Sequence, residues 1–264
     1  MGVVNVTPDS FSDGGRYLDP DAAVAHGLAL VAEGADVVDV GGESSRPGAT
    51  AVPEAEERAR VVPVVAELAR HVRVSVDTVK AAVAEAAIEA GATLVNDISA
   101  SLWPVAAQGG VGYVAMHMQG TPATMQDDPR YDDVVAEVSE FLLARAGAAV
   151  AAGVGEVWID PGIGFGKTDA HNLALLRALP ELCTRGLPVL VGTSRKGFLG
   201  RLAADAEGRP APVGDRLAGS LASATWAMLA GAAMVRVHDV AATVHAATLV
   251  GPARLPVATG GAGR

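Results

Sequence analysis

Eight short runs of β-branched apolar residues recur along the chain, each closing on polar residues or glycine: GVVNV, DVVDVGG, VRVSVDT, TLVNDIS, YVAMHM, EVWIDPG, PVLVGTS and MVRVHDV. The apolarity within a run is continuous rather than alternating, the mark of strands covered on both faces. Between most of the runs lie alanine-rich stretches with apolar residues at helical spacing, at 20–34, 53–70, 79–90, 131–152, 169–183 and 214–230, and these predict helices. Strand and helix in alternation imply parallel pairing through right-handed crossovers. Eight such units in about 250 residues predict an α/β fold, a closed (β/α)8 TIM barrel, as a single domain over 1–251. From Pro252 onward, PARLPVATGGAGR has no apolar period, and a frayed tail over 252–264 is expected.

Composition narrows the partners. Half of the 264 residues are hydrophobic and only 4% are aromatic, which suits valine-rich buried strands under closely packed alanine-rich helices. The formal charge of −10 argues against nucleic acid and anionic membrane as partners, so an anionic ligand needs a local cluster of Lys and Arg. One cysteine, Cys183, leaves no internal disulfide and fits a reducing cytoplasm. No basic-then-apolar leader opens the sequence, and no apolar run approaches the roughly 18 residues of a membrane span. A soluble cytoplasmic protein is expected.

The polar ends of the runs carry the chemistry, because the carboxyl-terminal mouth of a (β/α)8 barrel is where its active sites are built. In chain order they are Asn5, Asp39 with Glu43, Asp77, Asn96 with Asp97, His117, Asp160, the trio Ser194, Arg195 and Lys196, and Arg236 with His238. A single polar residue at a strand end ordinarily caps the next helix or ties a loop. Eight on one rim have to pair with each other or with a ligand, since burying unpaired charge costs free energy.

Three other patterns fall short of the chemistry they suggest. DPGIGFGKT ends like a phosphate-binding P-loop, but Pro161 stands where that pattern needs its first glycine, and proline has no N–H to give. GTSRKG lacks the G-x-S-x-G spacing of a nucleophile elbow. His238 and His245 have no cysteine or third ligand in pattern, which argues against zinc.

In order, NVTPDSFSDGG, GGESSRPGA, VDT, ND, DPGIGFGKT, TSRK and RVHDV resemble the signature set of the dihydropteroate synthases, over nearly the whole chain. The resemblance implies condensation of 6-hydroxymethyl-7,8-dihydropterin diphosphate with p-aminobenzoate, sulfonamide inhibition, Mg2+ and a homodimer. It implies that Asp77, Asn96, Asp160, Lys196 and Met116 bind the pterin. By the same resemblance Asn5, Arg46, Arg236 and His238 are expected to hold the diphosphate, with Asn5 a ligand to Mg2+. It assigns catalysis to Asp160, Lys196, Arg236 and His238, and implies that Asp13, Ser44, Ser45, Arg46, Pro47 and Phe165 close over p-aminobenzoate. A pterin presents a row of donors and acceptors, which carboxylates and amides at strand ends suit, and forked guanidinium groups suit phosphate.

The sequence departs from the family pattern at three places. The first strand starts at Met1, which leaves the barrel floor less well plugged. Position 197 is Gly, which shifts the p-aminobenzoate carboxylate onto backbone N–H groups and a helix amino end. The fourth segment, SASLWPVAAQGG, lacks the GG that often follows ND-x-S. The rival readings are a pterin-dependent methyltransferase module, which would need no diphosphate site, and a catalytically silent pterin-binding paralogue.

Overall fold

The computed structural model describes residues 1–7 and 20–251. Asp13, expected over p-aminobenzoate, and the tail over 252–264 lie outside the described residues. Eight parallel strands form at the eight apolar runs: β1 Gly2–Asn5, β2 Val37–Gly41, β3 Arg73–Asp77, β4 Leu94–Asp97, β5 Gly112–Met116, β6 Val157–Asp160, β7 Leu190–Val191 and β8 Met234–Val235. The first six pair in sequence order, and β7 pairs with β8. Parallel bridges Ile159–Val189 and Gly2–Val237 join the two sets on both sides and close the barrel. Backbone bonds from Ile159 N to Pro188 O (3.1 Å) and from Val3 N to Val237 O (3.2 Å) run through the same seams.

The connecting helices are α1 Pro20–Ala32, α2 Glu54–Leu68, α3 Ala81–Glu89, α4 Trp103–Gly109, α5 Val134–Ala151, α6 Asp169–Cys183, α7 Gly197–Leu202, α8 Leu217–Leu229 and α9 Val240–Val250. Six of them match the alanine-rich stretches. The other three were not legible as helices: α4 and α7 are too short to show a period, and α9 is apolar on nearly all sides. No helix among the described residues is long and apolar enough to cross a membrane.

The strands alternate more than the continuous apolarity suggested. Val4, Val38, Val40, Val74, Val76, Val95 and Ile159 are buried in the main core with residues of the surrounding helices. The intervening positions, Asp39, Ser75, Asp77, Asn96 and Asp160, take the other face of the pleat and point to the barrel axis. The barrel therefore has a dry outer shell and a polar upper interior. Its lower interior is apolar: Met1, Val37, Leu94, Val114 and Leu190 form a second cluster, with Trp158 and Met234 packed against it.

That cluster corrects the expectation of a poorly plugged floor. Met1 is itself 8% exposed, and its ammonium donates to Val235 O at 2.9 Å. Beside the cluster, Arg73 grips Glu156 at 2.6 and 2.9 Å, and Trp158 Nε1 donates to Glu156 at 2.7 Å.

Where GG is missing after Asn96 and Asp97, Ala100 adopts φ 50°, a left-handed conformation that costs an alanine roughly 1–2 kcal/mol. The Asp97 carboxylate holds it there, accepting from Ser99 N, Ser101 N and Leu102 N at 2.6–2.8 Å and from Tyr113 Oη at 3.0 Å. Asp97 is thus committed to shaping the turn before α4.

Candidate active site

Register brings the polar strand ends together. Asp77 on β3 lies directly opposite Asn96 on β4, Gly41 on β2 opposite Asp77, and Met116 on β5 opposite Asp160 on β6. Across the barrel, Arg236 just after β8 donates through Nε to Asp39 Oδ2 (2.6 Å) and through Nη2 to Asp77 Oδ2 (2.8 Å). Asn96 Nδ2 reaches the same Asp39 oxygen at 2.9 Å. Four of the expected or adjacent residues, from β2, β3, β4 and β8, are therefore one hydrogen-bonded cluster on the barrel axis.

Asp39 is the residue that motif matching left out of the site. It is fully buried, and its second oxygen, Oδ1, has no hydrogen-bond partner, nor has the buried Ser75 Oγ opposite it. The alternation of DVVDV, with Asp39 on the inward face, is the signal that would have found it. Burial raises the Asp77 carboxyl to about 7 even with Arg236 beside it, with Asp39 adding to the rise.

The loop after β6 supplies the opposite wall. Asp160 accepts from Gly162 N at 2.7 Å. Burial raises its carboxyl, and Lys196 draws it back down. Gly162 has φ +65°, and a Cβ there would lie 1.8 Å from His117 O. The loop thus packs backbone to backbone on the end of β5, which only glycine allows. Lys196 donates to Ile163 O in this loop, and its Nζ lies 4.5 Å from the centroid of the Phe165 ring. Burial lowers the Lys196 ammonium to about 8, against the pull of Asp160.

The GKT lysine has a different job from that of a P-loop lysine. Lys167 is completely buried and points into the wall, where its Nζ meets His117 Nδ1 (2.9 Å), His117 O (3.3 Å) and Phe165 O (3.0 Å). Burial lowers it to about 7. Burial and this lysine lower His117 to about 3, so the imidazole is neutral. Thr168, the last residue of GKT, caps α6 by accepting from His171 N at 3.2 Å.

The lip between β7, β8 and the loop after β2 carries His238, Arg195 and Arg46. His238 receives its orientation from Ser194, whose Oγ is 3.1 Å from both its backbone N and its Nδ1. Burial lowers His238 to about 4, with the charges of Arg236, Arg195 and Arg46 acting in the same direction. Arg195 is held by Asp239 at 2.5 and 3.0 Å. Arg46 is exposed on the loop after β2, whose Ser44 and Ser45 line a cavity of about 70 Å³ together with Asp77, Thr78 and Pro122. Arg46 and Pro47 project beyond it into solvent. Gly197 opens α7, directly after Lys196.

The described residues contain no group of three or more His, Cys, Asp or Glu side chains able to hold a metal ion. Asn5 closes β1 opposite Gly41 and offers a single hard oxygen. That donor set fits Mg2+, which takes few protein ligands and fills its shell with water and phosphate oxygens.

The sequence pattern of the family described as pterin binding enzyme matches residues 1–238. The dihydropteroate synthase of Mycobacterium leprae is 54% identical over 260 residues, covering 95% of this chain and 92% of that one. Yersinia pestis dihydropteroate synthase, solved with a sulfonamide drug complex, superposes with TM-score 0.87 at 46% identity, covering 95% of this chain and 92% of that one. The Xanthomonas albilineans enzyme in complex with 7,8-dihydropteroate gives 0.83 at 48%, with 94% and 90% covered. Such likeness spans the barrel and every strand end that builds the cup, and the chain belongs to the pterin-binding enzyme family, among its dihydropteroate synthases.

Proposed function

We propose that this chain joins 6-hydroxymethyl-7,8-dihydropterin diphosphate to p-aminobenzoate, releasing pyrophosphate and forming 7,8-dihydropteroate, the step that builds the folate skeleton. The observation that carries this is the convergence of Asp77, Asn96, Asp160, Lys196 and Arg236 on one mouth. The membership of the chain among the dihydropteroate synthases supports it.

In this reading Asp77, Asn96 and Asp160 pair with the pterin's ring donors and acceptors, Met116 covers its apolar side and Lys196 lies over it. Arg236, His238 and Arg46 meet the diphosphate, and Asn5 would hold Mg2+, which neutralises phosphate charge when bound. The C–O bond between the pterin methylene and the diphosphate breaks first, its electron pair leaving with pyrophosphate. Arg236 and Arg46 stabilise that growing negative charge. The cation left on the methylene spreads into the ring, where the Asp160 carboxylate stabilises it. The arylamine nitrogen then bonds to the methylene and loses its proton to solvent, so no covalent nucleophile or general base is needed. Ser44, Ser45, Arg46, Pro47 and Phe165 position p-aminobenzoate, where sulfonamides compete.

We also propose that residues 1–251 act as one domain in the cytoplasm and that the enzyme is a homodimer. The outer face of α8 supports the dimer, since Trp226 and Leu229, about 60° apart around the helix, are 44% and 61% exposed there. Pyrophosphate release on mixing both substrates with Mg2+ tests the reaction. Pterin binding without release would instead support the silent paralogue, and Arg46, Arg236 and His238, grouped for a diphosphate, argue against a methyltransferase module.

A further inference from the structure

The loop after β2 is held at both of its feet by one side chain. Glu43 Oε2 accepts from Val52 N, at the far end of the loop, and from Lys80 Nζ, both at 2.6 Å. Lys80 also donates to Glu57 of α2, a carboxylate that is 1% exposed. The other Glu57 oxygen accepts from Thr78 Oγ1 at 2.7 Å, and Thr78 is the neighbour of Asp77. Next to Glu43, Gly42 O accepts from Arg60 Nη1 at 2.8 Å. The ammonium thus links the foot of the Ser44–Pro47 segment to the strand that carries Asp77. The small cavity between them is bounded by Glu43, Glu57 and Asp77.

We propose that Lys80 is a positioning residue for the second substrate: by clamping Glu43 against Glu57 it sets the position of Ser44–Pro47 over the mouth, and hence the fit of p-aminobenzoate. Lys80 itself does not line the small cavity. A charged group bridging two carboxylates holds geometry more tightly than a neutral contact, and small displacements of positioning groups cost rate steeply. The inference rests on the reading of this loop given under Proposed function.

The test compares Lys80→Met, Lys80→Arg and the double variant Lys80→Met/Glu57→Gln, which removes the buried carboxylate that the single change leaves unpaired. Steady-state assays with each substrate varied, together with calorimetric binding of a pterin lacking the diphosphate, supply the readouts. Lys80→Met and the double variant are expected to raise KM for p-aminobenzoate about tenfold, with pterin affinity within about twofold of the parent and Lys80→Arg restoring most of the loss. An unchanged KM in the double variant overturns the proposal. So does an equal loss of pterin affinity, which would make Lys80 a general support of the barrel. Absence of turnover in the parent protein would instead refute the reading of function and leaves pterin affinity and sulfonamide binding to report the same split.

Discussion

Lys167 lends itself to a quantitative test, because an ammonium with no carboxylate in contact is buried behind the site. Its ordinary value of 10.5 falls to about 7 through burial, with Lys196 lowering it further and Asp160 opposing. The groups facing it are the ring and carbonyl of His117 just after β5, the Tyr131 ring at 6.0 Å and the Phe165 carbonyl. Between about pH 7 and 10.5 the unfolded chain then binds more protons than the folded one, so stability rises with pH through that window. With each unit equal to roughly 1.4 kcal/mol, holding the lysine in this site disfavours folding by about 4 kcal/mol at pH 7 and by only about 1 kcal/mol at pH 9.5. Lys167→Met removes that dependence. Urea unfolding of both proteins at the two pH values should show the parent gaining about 3 kcal/mol more than the variant on going up. Lys196 and the Met1 ammonium also titrate low, but they are present in both proteins and largely cancel in the difference. Parallel stability curves would refute the assignment of a buried, depressed ammonium at this position.

Three further substitutions probe the cup. Asp160→Asn exchanges a ring acceptor for a partial donor and should abolish measurable pterin binding while the circular dichroism spectrum stays unchanged; unaltered affinity by calorimetry removes Asp160 from the site. Arg236→Ala leaves Asp39 and Asp77 unpaired in the barrel, so it should weaken the diphosphate substrate and also lower the unfolding free energy by about 3 kcal/mol; an unchanged urea midpoint would show that the pair contributes nothing. Gly162→Ala sets a Cβ 1.8 Å from His117 O and adds left-handed strain of roughly 1–2 kcal/mol, so the loop must lift. Pterin affinity and thermal midpoint should fall together, and loss of neither would mean that the loop moves freely.

By itself the sequence determined the period. Runs of valine every few tens of residues, with alanine-rich helices between them, suffice for a (β/α)8 barrel, since each element reports its own burial through local spacing. Strand-end residues such as Asp77, Asn96 and Asp160 were legible for the same reason: a polar residue closing an apolar run stands out locally. Contacts between distant parts of the chain were not. That Arg236 is shared by Asp39 and Asp77, that Asn96 leans on Asp39 rather than standing free, and that Lys167 turns into the wall while Lys196 turns to the mouth are outcomes of closure. Each pairs residues from strands or loops remote in sequence, or distinguishes two lysines with similar neighbours. Only the tertiary structure decides them, because burial and the choice of partner for a charge depend on which surfaces meet across the barrel, and local spacing carries no record of that.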